Sequence, residues 1–215
     1  MKEKIIISDF DGTITKKDTL YHFFKEHASN GWMTVEKLWK ERKIGSKECL
    51  IREFELVENL SEKLIDKFID TLELDCYFKD FIKISKEKNV DFIIVSDGID
   101  YFINRVLEKN NIKNLKIISN TGKFYDDGFE ITCPFEFSGC KVNSGTCKCK
   151  VVENLRDEYK ELIYIGDGTS DFCVAENVGI NKLFAKDSLF DFCTNKKIDC
   201  VKYNTFKDIA NIIFQ

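Results

Sequence analysis

Short apolar runs recur along this chain and alternate with segments whose apolar residues return every three or four positions. The runs occupy residues 5–8, 90–95, 115–118, 162–165 and 182–185. Segments with helical spacing lie between them, over residues 81–89, 101–110 and 150–158. Strands that alternate with helices of this size predict an α/β fold with a parallel sheet flanked by helices.

Residues 15–80 interrupt this alternation, because they are rich in Glu, Lys, Leu and Phe and contain no convincing strand. Apolar positions three to four apart over 49–56 and 60–72 predict helices, with Ser61 as the N-cap of the second. We therefore expect a helical insertion at 15–80, carried by a core made of residues 1–14 and 81–215. Residues 123–132, with D-D-G at 126–128, predict a β-hairpin.

Composition restricts the class of protein further. The chain has 215 residues, is 43% hydrophobic and 33% charged, and carries a formal net charge of −4. This composition is typical of a globular protein, and the absence of a Lys/Arg stripe argues against nucleic acid as the main partner. No apolar run approaches the roughly 18 residues that span a bilayer. We expect a cytoplasmic protein without a membrane partner.

Polar clusters follow three of the predicted strands. Asp9 and Asp11 follow the first apolar run, S-D-G at 96–98 follows the second, and G-D-G-T-S-D at 166–171 follows the fourth. In an open parallel sheet, ligands bind beyond the carboxyl ends of the strands. The spacing thus predicts that these clusters converge on one edge of the sheet.

The residue types in these clusters suit phosphate chemistry. The carboxylates Asp9, Asp11 and Asp167 repel one another unless a cation lies between them, and Mg²⁺ prefers such hard oxygen ligands together with a substrate phosphate. Ser96 and backbone amides supply donors for an anion. Lys148 and Lys150 lie beside the start of the helix predicted over 150–158. Acids, a metal, a cation and donors are what a phosphoryl group in transfer requires.

These motifs, in this order, resemble those of the haloacid dehalogenase superfamily of phosphotransferases. They are D-F-D-G-T at 9–13, Ser96 after the second strand, a lysine, and G-D-G-x-x-D at 166–171. The insertion after the first motif resembles the cap of the phosphoserine-phosphatase-like subgroup. The resemblance implies a Rossmann-like core and a Mg²⁺-dependent phosphomonoesterase that forms an aspartyl-phosphate on a small phosphorylated metabolite.

The resemblance also implies roles for individual residues. Asp9 is expected to be the nucleophile, and Asp11 is expected to protonate the leaving oxygen and then activate water. Mg²⁺ is expected on Asp9, Asp167 and the backbone carbonyl of Asp11, with Asp171 in support. The residues expected to contact phosphate are Gly12, Thr13, Ser96, Asp97 and Gly98.

Two lysines compete for the position beside the nucleophile. Lys148 and Lys150 lie two residues apart in T-C-K-C-K, so both could face the same way if the segment is extended. A C-K pair ahead of the helix resembles the Lys148 position in the subgroup, which favours Lys148.

The cap is expected to select the substrate. Phosphoserine phosphatases use a cap glutamate and a cap arginine; this chain has Asp18 near the first position and Glu53 at the second. Arg52 is one residue away, a rotation of about 100° on a helix, which argues against phosphoserine. Three features resemble the 2-hydroxy-3-keto-5-methylthiopentenyl-1-phosphate phosphatases of methionine salvage. They are the motif D-F-D-G-T-I-T followed by Asp18, the cysteine-rich stretch that ends in C-K ahead of the helix, and the motif Y-I-G-D-G-x-S-D. Phosphoserine or another small phosphorylated metabolite is the alternative.

A cysteine cluster leaves three interpretations open. Four thiolates could close a tetrahedral zinc site, although the usual C-x₂₋₄-C knuckle is absent. They could equally be reduced thiols beside the active site, or redox-sensitive thiols whose pKa is lowered by Lys148. His22 and His27 are expected to pack or face solvent. The cluster consists of Cys133, Cys140, Cys147 and Cys149.

Two further classes of function compete with a phosphatase. One is a non-catalytic phosphate-binding or regulatory protein that retains the fold, against which the joint presence of Asp9, Asp11, Lys148 and Asp167 argues. The other is a phosphotransferase that passes the phosphoryl group to an alcohol rather than to water.

Overall fold

A seven-stranded sheet runs through the described residues, which are 1–126 and 128–215 of this computed structural model, with the backbone alone described at residue 177. Its strands are β1 Lys2–Ser8, β2 Asp91–Ile99, β3 Lys116–Tyr125, β4 Gly128–Thr132, β5 Tyr159–Gly166, β6 Lys182–Ala185 and β7 Val201–Lys202. Their order is β4-β3-β2-β1-β5-β6-β7, and only the β3–β4 pair is antiparallel. The predicted α/β fold with a parallel sheet is confirmed.

Helices cover both faces of this sheet. Those in the described residues are α1 Thr19–His27, α2 Trp32–Lys40, α3 Ser46–Glu55, α4 Glu62–Ile69, α5 Phe78–Glu87, α6 Asp100–Lys109, α7 Lys148–Arg156, α8 Phe172–Asn177, α9 Asp187–Lys196 and α10 Phe206–Ile213. Side chains of α5, α6 and α10 pack in one core on one face, and those of α7, α8 and α9 in a second core on the other.

The position of β1 explains its run of isoleucines. β1 lies between β2 and β5 in the sheet, and side chains of helices pack on both faces of the sheet. Ile6 packs into one core, whereas Ile5 and Ile7 pack into the other. A central parallel strand therefore reads as a continuous apolar run rather than an alternating one.

Helices α1–α4 form the insertion, which leaves the core and returns to it at one point. Thr15 and Leu74 pair as an antiparallel bridge, and the Asp75 N–H donates to the Ile14 carbonyl over 2.8 Å. Inside the insertion, the ring of Phe23 contacts Phe54 and Phe68 and also Phe102 of α6. These phenylalanines thus serve core packing, which holds the insertion against α6.

Two boundaries differ from the sequence prediction, and both bear on the site. β2 continues through S-D-G to Ile99, with a register shift against β3 after Val95, rather than ending ahead of this motif. Helix α7 begins at Lys148 rather than at Lys150. The predicted hairpin is formed by β3 and β4, and residue 127 of its predicted turn lies outside the described residues. Ser61 caps α4 as predicted.

None of the helices among the described residues has both the length and the apolar character needed to cross a membrane.

Candidate active site

A cavity opens at the carboxyl ends of β1, β2 and β5, where the insertion faces the sheet. The structure brings together there most of the residues predicted from the sequence. Those that line the cavity are Asp9, Asp11, Asp18, Glu53, Ser96, Asp97, Gly98 and Asp167. The convergence of three polar clusters on one edge is therefore observed. Gly12, Thr13, Lys148 and Asp171 lie immediately behind this lining, as their contacts below show.

Asp9 is the most enclosed of the carboxylates in the cavity wall. One of its oxygens, Oδ1, accepts from the Phe10 N–H over 2.7 Å. The other, Oδ2, lies 2.7 Å from the Lys148 ammonium and 3.4 Å from the Ser170 hydroxyl. Burial and the nearby Asp171 charge raise the pKa of Asp9 despite Lys148, so a further positive charge would favour its ionised form.

Lys148 joins Asp9 to Asp171 at the start of α7. Its Nζ lies 2.8 Å from Asp171 Oδ1 and donates to Ser170 Oγ over 2.9 Å, with 4% of the residue exposed. Burial opposes the ammonium form, but the carboxylates of Asp171 and Asp9 outweigh it and raise the pKa of Lys148. The lysine is therefore a permanent positive charge in contact with Asp9.

Lys150 takes no part in this arrangement. Its ammonium lies 3.5 Å from Glu153 at the surface and over the Phe137 ring. Both lysines lie in the first turn of α7, where two residues correspond to a rotation of about 200°. The helix thus directs Lys148 inward and Lys150 outward, so Lys148 is the lysine that lies beside Asp9.

Asp171 is held by three donors besides Lys148. Tyr164 donates its hydroxyl to Oδ1 over 2.7 Å, while the N–H groups of Asp167 and Gly168 donate to Oδ2. Gly166 is needed here because a Cβ at this position would lie 2.4 Å from Asp171 Oδ2. Asp171 therefore fixes both the lysine and the loop that carries Asp167.

Carboxylate oxygens of Asp9, Asp167 and Asp171 lie within 4.8 Å of one another. Burial and the Asp171 charge raise the pKa of Asp167 to about 7. Three carboxylates against a single lysine leave negative charge in excess, and the donors are all hard oxygens, so the arrangement fits Mg²⁺. The Asp11 side chain is not in this group.

Gly12 and Thr13 position Asp167 rather than line the cavity. The Thr13 hydroxyl is buried and donates to Asp167 Oδ1 over 2.5 Å. Gly12 has a φ of +74°, and a Cβ there would lie 2.5 Å from Asp167 Oδ2. The D-G-T sequence thus allows the first loop to approach the third carboxylate closely.

Asp11 lies on the side of the cavity nearer the insertion. Its Oδ2 accepts from the Ser96 hydroxyl over 3.3 Å, and Ser96 Oγ in turn accepts from the Gly98 N–H over 2.9 Å. Burial and the charge of Asp18 raise the pKa of Asp11 to about 6, against hydrogen bonds from Thr19. A carboxyl group with this pKa can both give and take a proton near neutral pH.

The carboxylate of Asp97 is occupied by protein donors. It accepts from the Ser46 hydroxyl at the start of α3, from the Thr146 N–H over 2.9 Å and from Asn120 Nδ2 over 3.2 Å. These contacts connect the insertion to β3, which contains Asn120, and to the segment ahead of α7, which contains Thr146. Sequence patterns did not reveal Ser46, Asn120 or Thr146, because they come from segments far apart in the chain.

Helices α1–α3 supply the opposite wall of the cavity. Asp18 caps α1 by accepting from the Tyr21 N–H over 2.8 Å, and Glu53 of α3 is 5% exposed. Arg52 points away and forms an ion pair with Glu48 over 2.6 Å at the surface. The wall also contains residues that the sequence analysis did not identify as lining: Leu20, Tyr21, Glu36, Trp39, Cys49 and Leu50.

Glu53 makes stability depend on pH. Burial and the Glu36 charge raise its pKa from 4.5 to about 8, so the folded protein keeps a proton that the unfolded chain releases. Stability should therefore fall as pH rises from about 4.5 to 8. Glu53→Gln should remove this loss and be more stable at pH 8 by at most a few kcal/mol, because one pKa unit corresponds to about 1.4 kcal/mol.

Thermal unfolding in EDTA between pH 5 and 9 measures this effect. The exposed Glu55 of the same helix provides the control, Glu55→Gln, which should follow the parent protein. A stability difference between parent and Glu53→Gln that does not change with pH would contradict the protonated Glu53.

The cysteine cluster does not gather around one point among the described residues. Cys149 Sγ donates to Cys173 Sγ over 2.7 Å, whereas Cys140 Sγ lies 3.1 Å from Ser144 Oγ. No three of its four sulfurs lie within reach of a common ion in the described chain. This geometry supports reduced thiols beside Lys148 rather than a zinc site. His27 packs against Phe23 and Phe68, as expected.

Comparison with known protein families identifies the family to which this chain belongs. A family model described as Putative Phosphatase matches residues 4–198, nearly the whole chain. The chain belongs to this family. It is accordingly a phosphatase, a hydrolase that acts on phosphoric monoesters.

Curated relatives agree with this membership. The phosphatase is 29% identical over 211 residues to a 2-hydroxy-3-keto-5-methylthiopentenyl-1-phosphate phosphatase of Bacillus pumilus, an alignment that covers 97% of this chain and 90% of the relative. It is 28% identical to the enzyme of the same name from Bacillus cereus, over 95% of this chain and 93% of the relative.

Solved structures confirm the fold of the phosphatase. A phospho-aspartyl intermediate analogue of phosphoserine phosphatase matches with a TM-score of 0.72 at 18% identity, covering 99% of this chain and 100% of the other. A phosphoserine phosphohydrolase-like protein from Francisella tularensis matches with a TM-score of 0.69 at 21% identity, over 98% and 99% of the two chains.

Proposed function

We propose that this phosphatase hydrolyses a small phosphorylated metabolite through a covalent aspartyl-phosphate on Asp9. The observation that supports this most strongly is the contact of 2.7 Å between Asp9 Oδ2 and the buried Lys148 ammonium. This contact fixes the Asp9 carboxylate at the carboxyl end of β1, while the other carboxylate oxygen accepts from the Phe10 N–H. Such positioning is what a nucleophile needs to attack a phosphorus atom.

Asp11 moves the protons in both halves of the reaction. In the first half, an Asp9 oxygen bonds to phosphorus while the bond from phosphorus to the leaving oxygen breaks, and the Asp11 carboxyl donates its proton to that oxygen. In the second half, Asp11 accepts a proton from water as the water oxygen attacks phosphorus and the Asp9–phosphorus bond breaks. A pKa of about 6 suits both directions.

Positive charge and donors stabilise the phosphoryl oxygens during both steps. Lys148 supplies a buried ammonium, and Ser96 supplies a hydroxyl beside Asp11. Mg²⁺ would be held by Asp9, Asp167 and the Asp11 carbonyl, where it would neutralise the developing charge. Asp171 would support the metal ligands indirectly rather than bind the ion, because its oxygens already accept from Lys148, Tyr164 and two N–H groups.

Two predicted phosphate ligands receive a different role in this proposal. The Thr13 hydroxyl is used on Asp167, and the Asp97 carboxylate, an anion, is used on Ser46, Asn120 and Thr146. A second anion would repel phosphate rather than bind it. We therefore assign Thr13 and Asp97 to positioning. We leave direct contact with phosphate to Ser96, whose hydroxyl oxygen accepts from the Gly98 N–H.

The substrate we favour is 2-hydroxy-3-keto-5-methylthiopentenyl-1-phosphate or a close analogue. The names of the Bacillus relatives support this choice. The outward direction of Arg52 argues against phosphoserine, because an amino-acid carboxylate would lack its arginine. We assign selectivity to the cap, residues 15–80, since its helices form the wall opposite Asp9.

We also place the enzyme in the cytoplasm, with neither a membrane nor a nucleic acid as its partner. The nine cysteines form no disulfide among the described residues. Cysteines that stay reduced are typical of a reducing compartment.

Phosphate release from a panel of phosphorylated metabolites tests the proposed function. The panel contains the methylthiopentenyl phosphate, phosphoserine and pyridoxal phosphate, each with Mg²⁺ and with EDTA. We expect release only with Mg²⁺ and fastest from the methylthiopentenyl phosphate. Equal release in EDTA would contradict the metal, and a clear preference for phosphoserine would contradict the substrate. Added alcohols should not accept the phosphoryl group, which separates hydrolysis from phosphotransfer.

A further inference from the structure

A second group of metal-ligating side chains lies in the cap wall of the cavity. It consists of Glu36 on α2 and of Cys49 and Glu53 on α3, and ligand atoms of all three lie within 4.8 Å of one another. Cys49 and Glu53 are four residues apart, so they share one face of the helix. Among the described residues only the carboxylates of Asp9, Asp167 and Asp171 form another such group.

One carboxylate oxygen of Glu53 in this group is buried without a hydrogen-bond donor among the described residues. Only 5% of Glu53 is exposed to solvent, yet its Oε1 has no hydrogen-bond partner in the described part of the chain. A buried carboxylate oxygen without a donor is costly, because it loses its contacts with water and gains nothing in return. Glu53 belongs to the group of three and lines the cavity, so a partner for this oxygen would lie at this wall.

The local charge calls for a cation as that partner. Lys40 pairs with Glu36 over 2.8 Å at the outer side of the group. This one ammonium faces the carboxyl groups of both Glu36 and Glu53. A cation bound between these groups would displace the proton that Glu53 otherwise keeps near neutral pH.

We propose that Glu36, Cys49 and Glu53 bind a borderline divalent cation of the Zn²⁺ class, and that its open coordination position takes an oxygen of the substrate's leaving group. A thiolate ligand selects Zn²⁺ over Mg²⁺, which prefers oxygen. Three protein ligands with one free position are typical of zinc sites that contact a substrate. The cavity is continuous from this group to Asp9 and Asp11.

The second half of this inference rests on the proposed function. The leaving group of a 2-hydroxy-3-keto phosphate carries neighbouring oxygen donors, which are suited to bind such a cation. Leaving groups without such donors would not benefit from it. The metal site would therefore act on substrate selection and leave phosphoryl transfer to the carboxylates around Asp9.

Cobalt binding tests the site without any need for turnover. Metal-free full-length enzyme is titrated with Co²⁺ in excess Mg²⁺, which occupies the all-oxygen site. We expect one Co²⁺ per chain with a thiolate-to-cobalt charge-transfer band. Cys49→Ser should abolish the band, and Glu53→Gln should weaken binding by at least about 10-fold, the loss typical of a disrupted metal site. Cys149→Ser, which removes a thiol of the core, should bind like the parent protein.

Three results would overturn the site: no band in the parent protein, a band that survives Cys49→Ser, or a band lost in Cys149→Ser. A fall in turnover of substrates with an ammonium group in Glu53→Gln, without metal binding in the parent, would instead assign the carboxylates to direct recognition of an organic cation.

Kinetics with one equivalent of Zn²⁺ in excess Mg²⁺ tests the contact with the leaving group. We expect a lower KM for the hydroxy-keto phosphate, no change for phenyl phosphate, and no Zn²⁺ effect on either in Cys49→Ser. An unchanged KM in the parent, where Co²⁺ binds, would overturn the leaving-group contact and leave the site standing. Absence of turnover on every phosphate would overturn the proposed function and again leave the site standing.

Discussion

Replacement of Asp9 by asparagine is expected to abolish phosphatase activity while leaving the fold and phosphate binding largely intact. An amide cannot attack phosphorus, and removal of the nucleophile in other covalent enzymes lowers kcat by roughly 10⁴- to 10⁶-fold. The shape of the side chain is conserved, and Lys148 retains its contact with Asp171. Turnover of a generic phosphomonoester measures the first effect, and titration with inorganic phosphate or vanadate measures the second.

Asp91→Asn is the matched control for this substitution. Asp91 lies at the opposite end of the sheet, at the start of β2, where it pairs with Lys2 over 2.8 Å. Its loss should leave turnover unchanged. Turnover of Asp9→Asn within 10-fold of the parent enzyme would reject Asp9 as the nucleophile.

Replacement of Lys148 by methionine is expected to reduce both activity and stability strongly. The side chain keeps its length but loses its charge, so Asp9 and Asp171 remain buried without their common cation. Breaking a buried ion pair in this way costs roughly 3–5 kcal/mol. Denaturant unfolding measures the stability change, and phosphate release measures the activity.

Lys150→Met provides the control two residues away on the same helix. Its ion pair with Glu153 is exposed, and exposed pairs contribute roughly 0–1 kcal/mol. Activity should be unchanged. The reverse order, with Lys150→Met inactive and Lys148→Met active, would contradict the inward direction of Lys148.

The sequence predicted the core of the site because its residues follow the strands directly. Asp9, Ser96 and Asp167 each come at or near the end of a parallel strand, and parallel strands bring such residues to one edge whatever the loops do. Motif order then identified the superfamily. The lysine was harder, because the orientation of Lys148 and Lys150 depends on where α7 begins, which differs from the prediction by two residues.

The cap wall could be predicted only in part. Asp18 and Glu53 were found from their position relative to a known pattern, but Glu36 and Ser46 were not, because their role depends on how α2 and α3 pack across the cavity. The same holds for the contacts of Asp97, whose partners come from three distant segments. Local sequence patterns contain no signal for such long-range contacts.

The covalent step on Asp9 is the central claim, and mass spectrometry of the acid-quenched enzyme tests it most directly. The enzyme is mixed with Mg²⁺ and excess substrate, quenched in acid during turnover and digested. We predict the mass of one phosphoryl group on the peptide that contains Asp9, and its absence in Asp9→Asn. A phosphoryl group on another residue would contradict the mechanism. So would the absence of any phosphoryl group on the enzyme while a burst of the dephosphorylated leaving group is released.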